Sequence, residues 1–154
     1  MSQETLALLR AQPLLRDLAE DHLSRLADIA ATAGFDEGDF LLREGGEARA
    51  LFLLSRGRVA LEVHLPDRGP VRMETLGPGD ALGLSWMFPP YRWQLDARAV
   101  EAGLALVLDA AALRDAMDKD PAFGYAVTKP LLAEVYTRLK RVRLQRLDLF
   151  KAEP

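Results

Sequence analysis

Cysteine and asparagine are both absent from the 154 residues. Without a thiol there is no disulfide scaffold, no thiolate metal site and no cysteine nucleophile. Histidine is scarce: His22 and His64 lie far apart, and neither has a carboxylate at ligand spacing. No metal and no histidine-based triad is therefore expected. The net charge is -3, so no global positive field invites nucleic acid. No apolar run approaches the roughly 18 residues of a membrane span. The opening MSQETLALLR lacks the basic-then-apolar plan of a signal peptide. There is no Walker loop and no GxGxxG, and Gly83-Leu84-Ser85-Trp86-Met87 lacks the second glycine of a nucleophile elbow. The expectation is a cytoplasmic chain with no catalytic residue. Arginine outnumbers lysine 16 to 4. With the missing Asn and Cys this is a heat-adapted bias, although a GC-rich genome produces the same arginine excess.

Length and apolar content suit one domain, 1–154, with a real core. Helices are expected over about 2–32, a β-roll over about 33–109 and C-terminal helices over about 110–150. Ser2 is a candidate cap for the first helix. Leu23, Leu26, Ala27 and Ala30 fall at helical spacing in the second, which Gly34 is expected to end. Short strands then follow: Phe40-Leu41-Leu42, Ala50–Ser55, Arg58–Leu65, a return strand through Val71, Met73 and Leu76, Gln94–Glu101 and Leu104–Leu108. Glycine and proline punctuate them at intervals of about ten residues, the plan of an antiparallel barrel or jelly roll. The fold class is mainly β: a double-stranded β-helix, or jelly roll, with N-terminal helices and a long C-terminal helix. Pro130 is expected to kink or break that helix.

The stretch Leu76–Val100 stands out. A turn at Gly77-Pro78-Gly79-Asp80 leads to Gly83, Leu84, Ser85 and Trp86. Backbone N–H groups of such a turn, opening a short helix, can hold an anion. Four aromatics, Trp86, Phe88, Tyr91 and Trp93, crowd the next eight positions. On the strand beyond, Trp93, Leu95, Ala97 and Ala99 share one face, and Arg92, Gln94, Asp96 and Arg98 the other. The apolar face should point inward. The candidate pocket is Gly83, Leu84, Ser85, Trp86, Arg92, Trp93 and Gln94.

On the last helix, Leu132, Val135, Leu139, Val142 and Leu149 follow a 3-4-3 rhythm, with Arg146 in the missing place, a seam of about two heptads. Arg138, Lys140, Arg141 and Arg143 lie mostly off it. Tyr136, Leu147 and Phe150 form a second apolar face, and one barrel can cover only one side. Leu132, Val135, Leu139 and Val142 are the expected homodimer helix.

The glycine framework carries a resemblance. Phe35-x-x-Gly38-Asp39, Leu42, Glu44-Gly45, Leu51-Phe52, Gly57-x-Val59 and Leu76-x-x-Gly79-Asp80 followed by Gly83 resemble the cyclic-nucleotide-binding domain of the catabolite activator protein superfamily. The resemblance implies a regulatory or sensor role and no enzyme. It also implies a cassette that holds a cyclic phosphate by backbone amides and an arginine, and the ribose by a glutamate. Here Leu84 stands at the glutamate's place and Trp93 at the arginine's. The charge-assisted contacts are therefore missing. Their loss should weaken cyclic-nucleotide binding by roughly two to four powers of ten.

Two readings follow. One is a stand-alone sensor of an atypical nucleotide or other small anion, signalling through a dimer helix. The other is a ligand-free interaction or dimerisation module with the pocket filled by Trp93. Arg92 is the nearest cation, but it would enter the pocket only if the Pro89-Pro90 step shifts the register. No cofactor beyond such a ligand is expected. The partners expected are a second copy and an unidentified protein, not a membrane. Because no helix-turn-helix follows the long helix before Pro154, DNA binding is not expected either.

Overall fold

The computed structural model describes residues 3–152, with side-chain environments for 3–147. Ser2, the expected cap, lies outside the described residues, as do the side chains of Leu149 and Phe150. The elements are α1 (Gln3–Arg10), a 3-10 turn at Pro13–Leu15, α2 (Glu20–Ile29), β1 (Ala30–Phe35), β2 (Phe40–Leu42), β3 (Ala50–Leu65), β4 (Gly69–Leu76), β5 (Ala81–Leu82), a second 3-10 turn at Leu84–Met87, β6 (Asp96–Asp109), α3 (Ala110–Lys119) and α4 (Pro121–Ala152). The strands form an antiparallel six-stranded sheet ordered β1-β6-β3-β4, with β2 on β6 and β5 on β3. This is the expected mainly β class with helical flanks.

Three boundaries differ from expectation. The second helix stops at Ile29, and 30–35 pairs with β6, Ala30 opposite Leu108 and Phe35 opposite Gly103. Most of this strand is exposed, so no burial alternation marks it in the sequence. The sheet thus begins at residue 30, inside the range read as helical. Next, the strand pairs expected on either side of Gly57 and of Gly103 are each one long bent strand, β3 and β6. The bends coincide: the register shifts between Leu54 and Val59 lie where Gly57 crosses Gly103. A Cβ on Gly103 would meet the Arg56 carbonyl oxygen at 2.0 Å and Gly57 Cα at 2.7 Å. Glycine is there because two backbones touch. Finally, α4 runs unbroken through Pro130. Val127 and Leu131, buried on either side of the proline, anchor it.

The core is filled by Leu53, Leu54, Val59, Leu76, Leu82, Leu106 and Leu108 from the strands, Trp86 from the second 3-10 turn, and Leu113 and Phe123 from the helices. Gln12 reaches from the N-terminal segment to donate to the Leu54 carbonyl at 3.1 Å. Arg25 on α2 pairs with Asp120 between α3 and α4 at 2.6 Å. The first contact ties the N-terminal flank to the sheet, and the second ties the two helical flanks to each other.

One face of α4 descends onto the roll. Phe123, Val127 and Leu131 are buried along it. Arg138 continues the face and donates to the carbonyl of Ala81, and Arg141 pairs with Glu74 of β4 at 3.0 Å. Neither expected apolar face of the helix is the one the roll covers. Leu132, Val135, Leu139 and Val142 are 66, 42, 44 and 56% exposed, and Tyr136 and Leu147 are exposed as well.

Candidate functional site

The cassette begins where β5 ends. Phe52 pairs with Leu82, and Gly83 then turns the chain with φ 90° into the 3-10 turn at Leu84–Met87. A left-handed residue at this corner requires glycine. Beneath it lies a cavity of about 190 Å³, lined by Leu42, Leu61, Leu82, Leu95 and Arg138 together with Gly83, Leu84, Ser85, Trp93 and Gln94.

Five of the seven candidate residues therefore share one cavity, and two do not. Trp86 is turned the other way, fully buried in the core. Its carbonyl accepts from Arg114, and its indole N–H meets no acceptor among the described residues. A 3-10 turn spreads three successive side chains around its axis; Leu84 and Ser85 line the cavity and Trp86 enters the core. Arg92 lies across the loop, donates to the Gly45 carbonyl at 3.4 Å and lines a separate cavity. The register did not shift: Trp93, Ala97 and Ala99 are buried and Arg92 and Gln94 are exposed. Gln94 spends its side-chain amide on the Arg92 carbonyl at 3.1 Å.

Trp93 dominates the cavity. Its backbone is held to the Gly45-Gly46 turn by two hydrogen bonds, each of 2.9 Å. Its ring meets Phe52 at 6.4 Å between centroids, tilted by 45°. At its far edge, Cη2 and Cζ3 lie 2.8 Å from where a Cβ on Gly83 would stand. At its near edge, Cδ1 lies 3.4 Å from the corresponding position on Gly46. The indole is seated between two glycines.

The sequence reading missed Arg138. It is the one ionisable side chain lining the cavity among the described residues. It arrives from α4 and pairs with Glu134, one turn earlier, at 3.1 Å. Its charge is thus already matched. The periodicity of the buried face, Phe123-Val127-Leu131 and onward to Glu134 and Arg138, is the signal that could have placed it. Of the two histidines, His22 packs edge-on against Phe123 at 5.6 Å and His64 is exposed at the end of β3.

A roll of this topology with a glycine-led cassette has known counterparts. The sequence profile described as Cyclic nucleotide-binding domain matches residues 34–120. The chain belongs to the cyclic nucleotide-binding domain family. Human cGMP-dependent protein kinase 2 is 33% identical over 76 residues, 49% of this chain and 10% of the kinase. Drosophila melanogaster cGMP-dependent protein kinase, isozyme 2 forms cD5/T2, is 30% identical over 76 residues, 49% of this chain and 8% of that protein. The chain thus spans only a small part of these kinases, and the similarity concerns that part alone. Among solved structures, a cyclic nucleotide-binding domain from Methylobacillus flagellatus superposes with a TM-score of 0.80 at 21% identity, covering 94% of this chain and 82% of its own. The Thermus thermophilus catabolite activator protein superposes with a TM-score of 0.70 at 24% identity, covering 90% and 63%. These likenesses establish the fold.

The cavity lining holds Leu84 and Trp93 where the resembling cassette has a glutamate and an arginine. The cavity is smaller than the roughly 300–1,000 Å³ of small-molecule sites. Its one cation is paired, and an indole takes up the depth. Among the described residues, no helix is long and apolar enough to cross a membrane.

Proposed function

We propose that this chain is a regulatory domain of the cyclic nucleotide-binding fold whose cassette is filled by its own Trp93, and that it acts by presenting α4 to a second copy of itself. The observation that carries this reading is the seating of the indole against Gly83. A side chain that fills a pocket from within competes with any ligand intramolecularly, at a high and constant effective concentration. The output face is the exposed row Leu132, Val135, Leu139 and Val142. A heptad row is self-complementary, which suits a twofold pairing of identical helices.

Titration calorimetry with cyclic AMP and cyclic GMP tests the plugged cassette. The unmodified protein should take up neither. Trp93→Arg combined with Leu84→Glu restores the residue types of the resembling cassette and should create saturable uptake. Sub-micromolar binding of either nucleotide by the unmodified protein would overturn the reading. The alternative, a sensor of an atypical nucleotide, rests on the left-handed Gly83 corner that opens the 3-10 turn and requires Trp93 to swing out.

A further inference from the structure

Outside the cassette, one cavity gathers positive charge. It lies between Glu47–Arg49, the Pro90–Arg92 loop and the start of α3, with a volume of about 380 Å³. Arg49, Arg92 and Arg114 line it, as do Tyr91, Glu47 and Asp109. Both carboxylates are committed. Glu47 accepts from Arg49 at 2.7 Å, and this bond holds its carboxyl below the ordinary carboxylate range. Asp109 caps α3, accepting from the Ala112 N–H at 2.9 Å. Arg92 and Arg114 differ from Arg49. The Arg92 guanidinium donates a long bond to the Gly45 carbonyl and lies near enough to Glu47 to help hold that carboxyl down. Arg114 lies 4.2 Å over the Tyr91 ring and donates to the Trp86 carbonyl. Among the described residues, neither forms a salt bridge.

We propose that this cleft is an anion site for a small phosphate monoester. Two guanidiniums that form no salt bridge among the described residues match the roughly −1.5 to −2 charge of a phosphate monoester near neutral pH. The planar guanidinium fork fits phosphate oxygens two at a time, which an ammonium does not. The volume falls within the roughly 300–1,000 Å³ of small-molecule sites. The site also has a bearing on the cassette, because Arg92 and Trp93 are consecutive. An anion on Arg92 restrains the loop that seats the indole. Yet the cleft and the cassette cavity share no lining residue, so failure of one proposal leaves the other standing.

Titration calorimetry with phenyl phosphate tests the cleft in the full chain, with benzoate as a comparison. Phenyl phosphate should bind saturably and benzoate at least about tenfold more weakly, since one anionic charge and one fork contact are lost. Arg92→Ala, at an exposed position, should keep the fold by circular dichroism and weaken phenyl phosphate by about tenfold or more. Glu47→Gln should have the opposite sign: it frees Arg49 and removes a repelling carboxylate, so binding tightens. No saturable uptake of phenyl phosphate at millimolar concentration would overturn the site. So would uptake that neither Arg92→Ala nor Glu47→Gln changes.

Discussion

Gly83 and Trp93 are fitted to each other: a Cβ on the glycine would stand 2.8 Å from two atoms of the indole. The corner also holds φ at 90°, where a side chain is strained. Gly83→Ala therefore meets two costs, backbone strain of about 1–3 kcal/mol and an overpacked cavity of about 1–3 kcal/mol. Urea unfolding should show the sum. In a Trp93→Ala background the second cost falls, leaving only the Ala50 carbonyl oxygen at 3.3 Å, so Gly83→Ala should destabilise that protein less. Equal losses in both backgrounds would mean that the indole and the glycine do not touch.

The crossing of Gly57 and Gly103 sets a harder limit. At Gly103 the atoms that a Cβ would meet are backbone, at 2.0 and 2.7 Å, and no rotamer can yield. Gly103→Ala should cost more than about 4 kcal/mol or abolish soluble protein. Gly38 is the control. Its φ is 92°, with nothing within 4 Å of an added Cβ. Gly38→Ala carries strain alone, about 1–2 kcal/mol. Thermal midpoints of the two variants separate steric contact from backbone strain.

What the sequence made legible was whatever depends on backbone geometry or on strict alternation. Gly38, Gly45, Gly57, Gly79 and Gly83 all take positive φ, and these glycines carried the resemblance. The alternation from Trp93 to Ala99 placed the indole inside and Arg92 outside, as it is in the structure. Strand β1 was not legible, because an exposed strand has no buried face to write into the sequence. The sequence leaves open whether Trp86 enters the core or the pocket, because the pitch of a single 3-10 turn decides its direction and four residues do not specify that pitch; it enters the core. Arg138 was missed because its place depends on where a helix docks, about fifty residues along the chain from the cassette. The exposed seam on α4 was read directly from its spacing, and the face that the roll covers was not.

Asp120 sets a pH dependence. It joins α3 to α4, accepting from the Phe123 N–H at 3.4 Å, from Arg25 at 2.6 Å and from the Ala122 N–H at 3.2 Å. The backbone bond to Phe123 first, and then Arg25, hold its carboxyl below the ordinary range. A depressed carboxyl favours the folded state when ionised. That stability is present above the pKa of the unfolded chain and is lost as pH falls through the folded value. Asp120→Asn should therefore lower the thermal midpoint near neutral pH, and the gap to the parent should close in acid. Because the pair is partly exposed, salt should narrow the gap as well. A gap that scanning calorimetry finds constant with pH would remove the charge from the account.

The exposed row on α4 makes the last prediction. Leu132, Val135, Leu139 and Val142 expose apolar side chains along more than two helical turns, and a contiguous apolar row of this kind suits an interaction surface. If a second copy covers this row, sedimentation equilibrium of the parent should return twice the chain mass of 17.1 kDa. Leu139 sits centrally in the row and is 44% exposed. Leu139→Asp places a charge in the middle of the pairing surface, where desolvation without a partner is costly. It should release monomers while leaving the far-ultraviolet spectrum unchanged. Arg143→Ala, one helical turn further and off the row, should leave the mass doubled. A parent that sediments as a monomer at all concentrations would overturn the pairing of α4 with a second copy.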